Sequence, residues 1–275
     1  RAGRQAAGIA DRCAGRIGQA KDQPPFDLLP RDVGIDLIAG IDGGDDAPDG
    51  QPVALHSRFH HDGGIGAVQH MRRDPLPAAG DAVFRTDWST DATYLLLRGE
   101  HGRVREQGFG HEHADETSFI LYAHGEMLAV DGGYINFTNH DKVNWGNAHS
   151  LIMIDGQGPP LDRISGAAVD GGEDAYIEQT LTHAAGDYAE VRAAYLDASL
   201  RRRVLFANRE YFVIADEATS DHGRVYEWRL HGNGGGTSGG SYARDGSLAR
   251  WTRPNAELLA YLPARTGRTF SEADT

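Results

Sequence analysis

From residue 82 onward the chain is written in short β-type runs, some continuously apolar and some alternating apolar with polar side chains. Such runs occupy residues 82–85, 93–97, 118–123, 127–130, 151–154, 175–181, 191–196, 203–206, 211–215 and 225–230. A period of two puts alternate side chains on opposite faces of an extended backbone, which is the pattern of half-buried strands. Gly, Asp, Asn and His separate the runs, and His124-Gly125 and Asn208-Arg209 sit where hairpins would reverse. Many short strands with few helices predict an all-β protein, a large antiparallel β-sandwich over residues 81–275, with a barrel as the related alternative.

The first eighty residues read differently. Ile9, Cys13 and Ile17 recur at roughly helical spacing, which predicts a short helix over residues 1–21. Between residues 22 and 80 the periodicity dissolves into turn signals such as Asp42-Gly43-Gly44-Asp45-Asp46, and apolar runs such as 35–39 are short. Residues 1–80 are therefore expected to be a poorly structured or partly helical N-terminal extension. Residues 232–240 read as a flexible Gly/Ser loop, and 271–275 as a frayed terminus.

Composition narrows the function classes. With 275 residues and 40% hydrophobic side chains the chain can bury a core. No stretch is long and apolar enough to predict a membrane span. A formal charge of −13 disfavours nucleic acid, whose phosphates need a basic surface. An anionic polysaccharide is still compatible, since a local basic cleft can sit on an acidic protein. One cysteine, Cys13, cannot form a disulfide within the chain. Residues from Arg1 onward show no signal-peptide pattern.

Three segments carry ligand-type side chains at the ends of β-type runs. The first is His111-Glu112-His113-Ala114-Asp115, where two imidazoles two positions apart would project to one side of an extended backbone. The second ends in Asp131, the third opens at His149. Two imidazoles and a carboxylate suit zinc, which accepts ligands from separate strands. The competing reading has these histidines satisfied by backbone carbonyls. His111 fits a proton-transfer group, a cation facing a substrate carboxylate, or a fourth ligand. Asp115 fits either a partner that fixes a histidine tautomer or a turn cap. Tyr94, Tyr134 and Trp145 fit the core or a sugar-stacking surface. Arg201-Arg202-Arg203 reads as a solvated charge run or an acidic-sugar contact. His231 ends a strand with no readable role.

The segment running from Gly110 through His111-Glu112-His113-Ala114-Asp115, the strand Leu121-Tyr122-Ala123-His124-Gly125, and Val130-Asp131-Gly132-Gly133 resembles the C-terminal region of the heparinase II/III-like polysaccharide lyases. So do the histidine-led His149-Ser150-Leu151-Ile152-Met153-Ile154-Asp155-Gly156, the upstream Phe84-Arg85-Thr86-Asp87-Trp88, and the pair Arg203–Phe206 with Tyr211-Phe212-Val213-Ile214-Ala215-Asp216. The likeness covers about residues 81–230. It implies a β-sandwich that in the family packs against an α/α toroid, and eliminative cleavage of uronic-acid polysaccharides of the heparan or alginate type. It also implies a periplasmic or extracellular setting. Carried over residue by residue, His111 would be the catalytic histidine, and His113, Asp131 and His149 would hold a structural Zn2+ beside the cleft. Gly132 stands where the family often has proline, and Ser150 where it often has asparagine. In the family the toroid supplies an Asn or His and the catalytic Tyr, and residues 1–80 are too short and too weakly patterned to form one.

Two other classes fit parts of the pattern. A non-catalytic carbohydrate-binding or structural sandwich would keep the fold without the chemistry. A cupin-like barrel would use His111, His113 and Glu116 as ligands, although the spacing to Glu116 is short for that pattern.

Overall fold

A computed structural model of the chain describes residues 33–42, 80–101, 112–161, 163–164, 167–168, 174–235 and 237–273. Apart from Val33 these belong to one compact unit, Gly34–Thr275. Among them are sixteen strands. They are β1 (Val33–Asp42), β2 (Ala82–Arg85), β3 (Tyr94–Leu97), β4 (Phe119–Ala123), β5 (Glu126–Ala129), β6 (Ile152–Ile154), β7 (Arg163–Ile164) and β8 (Ala167–Ala168). The remainder are β9 (Ala175–His183), β10 (Gly186–Tyr195), β11 (Ala198–Ala207), β12 (Tyr211–Ser220), β13 (Tyr226–Trp228), β14 (Ser241–Asp245), β15 (Leu248–Thr252) and β16 (Glu257–Tyr261). The only helical turns among the described residues are two 3-10 segments, Phe137–Lys142 and Gly146–Ala148.

An eight-stranded sheet runs in the order β14-β15-β16-β1-β12-β11-β10-β9, and a four-stranded sheet in the order β2-β3-β4-β5. A two-stranded ribbon pairs β13 with β6, and β7 with β8 makes a second. The registered pairs are antiparallel. Strand β1 inserts between the β9–β12 meander and the β14–β16 meander, so it comes from a stretch to which the sequence assigned no fold.

The sandwich follows from the alternation. β12 alternates buried and half-buried positions along most of its length, and β4 does so throughout. Their buried sets share one core with Phe84, Leu95, Leu97, Leu121, Val191, Val204, Phe206, Phe212 and Ile214. Phe84 of the small sheet meets Phe212 of the large sheet edge to face, with centroids 6.0 Å apart. Phe206 stacks on Phe212 at 4.2 Å. Phe side chains buried this way each contribute about 1.5–3 kcal/mol by area.

Turn chemistry sets the hairpins. His124-Gly125, Leu196-Asp197 and Asn208-Arg209 all have positive φ at both central residues. That is the type I′ geometry whose twist matches the flanking strands. Two of these turns were legible in the sequence; Leu196-Asp197 lacks the usual Gly or Asn and was not.

Several expectations need correction. The run over 118–123 becomes strand only at Phe119, because Thr117 has φ 65° and breaks the extended backbone. β14, β15 and β16 lie beyond the last expected strand; β14 is largely exposed and so lacks an apolar period. The helix expected over residues 1–21 lies outside the described residues.

Candidate metal centre

Three loops meet at one end of the small sheet. The stretch before β4 carries His113, the residues after β5 carry Asp131, and the residues before β6 carry His149. One ligand atom from each lies within 4.8 Å of the other two. This is the convergence the sequence expected of His113, Asp131 and His149. His113 reaches it from irregular backbone, not from the strand that the His-x-His spacing suggested. His111 lies outside the described residues. Glu116 is fully buried and does not belong to this group.

Each loop is held by its own hydrogen bonds. Ala114 N–H donates to the Asn144 carbonyl at 2.8 Å, and Ser118 N–H to the Asp115 carbonyl at 2.9 Å, fixing the His113 loop from both sides. Val130 N–H donates to the His231 carbonyl at 2.8 Å, and Gly133 N–H to Asp131 Oδ1 at 2.8 Å, which aims the carboxylate. His149 follows the Gly146–Ala148 turn, and its N–H donates to the Gly146 carbonyl at 3.2 Å.

The electrostatics suit a cation. His149 is fully buried, with Nδ1 2.5 Å from Asp131 Oδ2. Its other nitrogen, Nε2, is buried and makes no hydrogen bond. A buried imidazole nitrogen left unsatisfied costs desolvation that a metal would recover. Burial, with help from the neighbouring His149 and His140 rings, pushes the His113 pKa down to about 4, so its imidazole is neutral at pH 7. Burial pushes the Asp131 carboxyl up, but its bond and charge interaction with His149 and the Gly133 N–H outweigh that and hold it below the usual range. Two neutral-type donors and one carboxylate are a zinc-compatible set. The residues present therefore fit a divalent ion.

Other side chains surround this group. His140, 5% exposed, sits with its ring 4.7 Å from His113 and 4.6 Å from Tyr134. It lies in a polar 3-10 turn, and no periodicity in the sequence marks it. His231 also borders the site: its N–H donates to Ser150 Oγ at 3.1 Å, and burial lowers its pKa. Asp115 pairs with Arg98 at 3.3 Å, and Arg98 also pairs with Asp81 and Glu100. Asp115 thus anchors the His113 loop to the small sheet. Tyr134 and Trp145 are exposed beside the site, so the core reading fails for both; Tyr94 is half-buried.

The arginine run resolves in a way the sequence did not foresee. All three residues lie within β11. Arg201 and Arg203 face outward onto Glu190 and Glu217. Arg202 points inward, 1% exposed, against Asp216. It is neither solvated nor a sugar contact.

Comparison with known proteins adds the following. The family model for the heparinase II/III-like C-terminal region matches residues 69–272. The heparin-sulfate lyase of Pedobacter heparinus is 24% identical over 170 residues, covering 59% of this chain and 24% of that protein. The heparin-sulfate lyase of Bacteroides stercoris is 24% identical over 163 residues, covering 57% of this chain and 22% of that protein. The chain thus spans about a quarter of the length of these curated relatives. A crystal structure of heparinase III superposes with a TM-score of 0.51 at 14% identity, covering 68% of this chain and 33% of that one, which is a likeness of fold.

Proposed function

Because this chain belongs to the heparinase II/III-like C-terminal family, we propose that it is the β-sandwich portion of a polysaccharide lyase acting on a uronic-acid-containing, acidic polysaccharide. The observation that carries the reading is the meeting of His113, Asp131 and His149 from three separate loops. They belong to the three sequence segments that carry the family resemblance. The heparin-sulfate lyase relatives favour a sulfated glycosaminoglycan over alginate as the substrate class.

The chemistry so assigned is β-elimination. The C5–H bond of a uronate breaks, its electron pair forms the C4–C5 double bond, and the bond to O4 breaks as that oxygen takes a proton. Neutralising the carboxylate and supplying the base and acid are the tasks of the site. His111, two positions before His113 in the sequence, is assigned to proton transfer. His113, neutral at pH 7, and Asp131, ionised, would hold the ion together with His149. When bound, zinc would supply positive charge tying together the three loops that carry His113, Asp131 and His149.

The test is eliminative turnover by the chain itself on heparan sulfate, heparin and alginate. Unsaturated uronyl ends absorb at about 230 nm, so absorbance should rise on a glycosaminoglycan and fall away in His111→Ala. Binding of the polymer with no absorbance change would favour a second reading, a carbohydrate-binding sandwich.

A further inference from the structure

We infer that Arg202 is a positioning residue for the metal centre: its buried guanidinium clamps the two histidine-bearing loops at a fixed separation, so the ligand set is arranged before any ion arrives. The inference rests on the metal reading above and goes beyond it, because Arg202 is not part of the ligand group.

The geometry is as follows. Arg202 on β11 and Asp216 on β12 are register partners in the large sheet. Arg202 Nε donates to Asp216 Oδ1 and Nη2 to Asp216 Oδ2, each at 2.8 Å, a two-point grip that fixes the plane of the guanidinium. Trp228 Nε1, from β13, donates to Asp216 Oδ2 at 2.8 Å. The remaining edge of the guanidinium faces the small sheet. Nη1 donates to the Thr117 carbonyl at 2.6 Å and to the Ser150 carbonyl at 2.9 Å. Thr117 lies four residues after His113, and Ser150 directly follows His149. One nitrogen atom therefore ties together the loops that carry two of the three ligands.

Two further facts make this more than core filling. A sandwich core is normally closed by apolar contacts, and a buried ion pair is weak evidence of stabilisation because desolvation offsets the attraction. Here the pair spends its remaining donors on irregular backbone next to ligands. In addition, Thr117 is a β-branched residue at φ 65°, a conformation that persists only where its surroundings impose it. The turn closed by the Ser118 N–H on the Asp115 carbonyl sets this conformation, and the bond from Arg202 to the Thr117 carbonyl ties that turn to the large sheet. The Thr117 kink ends the extended backbone before β4 and lets the chain turn back to place His113 opposite His149.

The experiment measures zinc affinity by competition with a chromophoric chelator, and the zinc-induced rise in Tm, for the full chain and two variants. Arg202→Lys keeps the charge but cannot reproduce the planar fork. Arg202→Met with Asp216→Leu removes both charges together, so no lone ion is left buried, and it answers the question if the single variant does not fold. Near-UV circular dichroism of the metal-free forms establishes that the core is intact. Expected is a loss of about 10–100-fold in zinc affinity, with the zinc-induced Tm rise reduced in step, in a variant whose metal-free fold is unchanged. A purely structural role would instead lower Tm equally with and without zinc and leave affinity within about twofold of wild type; that result overturns the inference while the metal reading stands. A wild-type chain that takes up no zinc overturns the metal reading itself, and the inference falls with it.

Discussion

Asp131 Oδ2 lies 2.5 Å from His149 Nδ1, joining a partly exposed carboxylate to a fully buried imidazole across the mouth of the candidate metal centre. The pair comes from loops 18 residues apart and is closed by the side chains themselves. A divalent ion held by His113, Asp131 and His149 would add coordination to this prearranged group. Zinc should therefore bind with one ion per chain, and His113→Ala, His149→Ala and Asp131→Asn should each lose it. At a free zinc concentration of 100 times Kd, the bound form gains about 2.7 kcal/mol. For a domain of this size that is a Tm rise of roughly 5–10 °C. Elemental analysis together with melting curves in zinc and in chelator checks this. Equal zinc content in wild type and His113→Ala would remove the ligand set.

The two sheets are joined most directly through Phe212, which meets Phe84 across the sandwich and stacks on Phe206 within its own sheet. All three are fully buried. Phe212→Ala opens a cavity on both sides of the sandwich and should cost about 3–5 kcal/mol. Phe212→Leu, which fills more of the volume, should cost less. Urea unfolding with an unchanged m-value is the measurement, and a loss under 1 kcal/mol for Phe212→Ala would mean the sheets do not share this core.

Much of this arrangement could be read from the chain, for physical reasons that also explain the gaps. Ala82–Arg85 was legible to the residue because a short β-type apolar run is local information. The meeting of His113, Asp131 and His149 was legible because each lies beside a strand run, and the family resemblance grouped them. Arg202 was not, since in a run of three arginines the sequence does not say which one points inward; only the register with Asp216 decides it. His140 was not, because it reaches His113 from a polar turn. The strand Val33–Asp42 was not, because its pairing with Glu257–Tyr261 spans most of the chain.

Glu190 makes the outer face of the large sheet sensitive to acid. Its side chain is 4% exposed and lies within 3.3 Å of Arg192, Arg201 and Arg203. Burial pushes its pKa up, but the Tyr188 hydroxyl and the three guanidiniums outweigh that and hold it below the ordinary value. A carboxyl with a depressed folded pKa contributes stability that is complete above its unfolded pKa. That stability is lost as pH falls through the folded pKa. Stability should therefore decline as pH drops below about 4.5, and Glu190→Gln should flatten that part of the curve. At pH 7 the variant should be about 1–3 kcal/mol less stable, because three donors lose a charged acceptor. Denaturation midpoints from pH 7 to pH 3 test both statements; parallel curves for the two proteins would refute the assignment.

Asp197 occupies a tight turn without the residue that geometry prefers. It has φ 58°, its side chain is 88% exposed, and its contact with Arg224 is long at 3.7 Å. An exposed ion pair of that length contributes little. Asp197→Gly removes a left-handed penalty of about 1 kcal/mol, offset by the greater freedom glycine has in the unfolded chain. The net expectation is a gain of a few tenths to about 1 kcal/mol, read as a rise in urea midpoint. A clear loss would show that the Arg224 contact outweighs the backbone term.

Gly232 is the position where the smallest change should do the most damage. A Cβ built there would lie 2.2 Å from both Cε2 and Nε1 of Trp251, far inside contact distance. The indole is a rigid ring packed against the core, so it cannot swing aside as a flexible side chain would. Gly232 also bridges to Ala129, and the preceding residue, His231, accepts the Val130 N–H that orients Asp131. Gly232→Ala should therefore cost at least about 1–3 kcal/mol by overpacking. It should also weaken zinc binding, since the displaced backbone carries the Asp131 loop with it. Trp251→Leu placed in the Gly232→Ala background should restore part of both losses, because it removes the atoms that the methyl group meets. A double-mutant cycle on urea stability and zinc affinity measures the coupling. Additive effects would show that the strain does not pass through the indole.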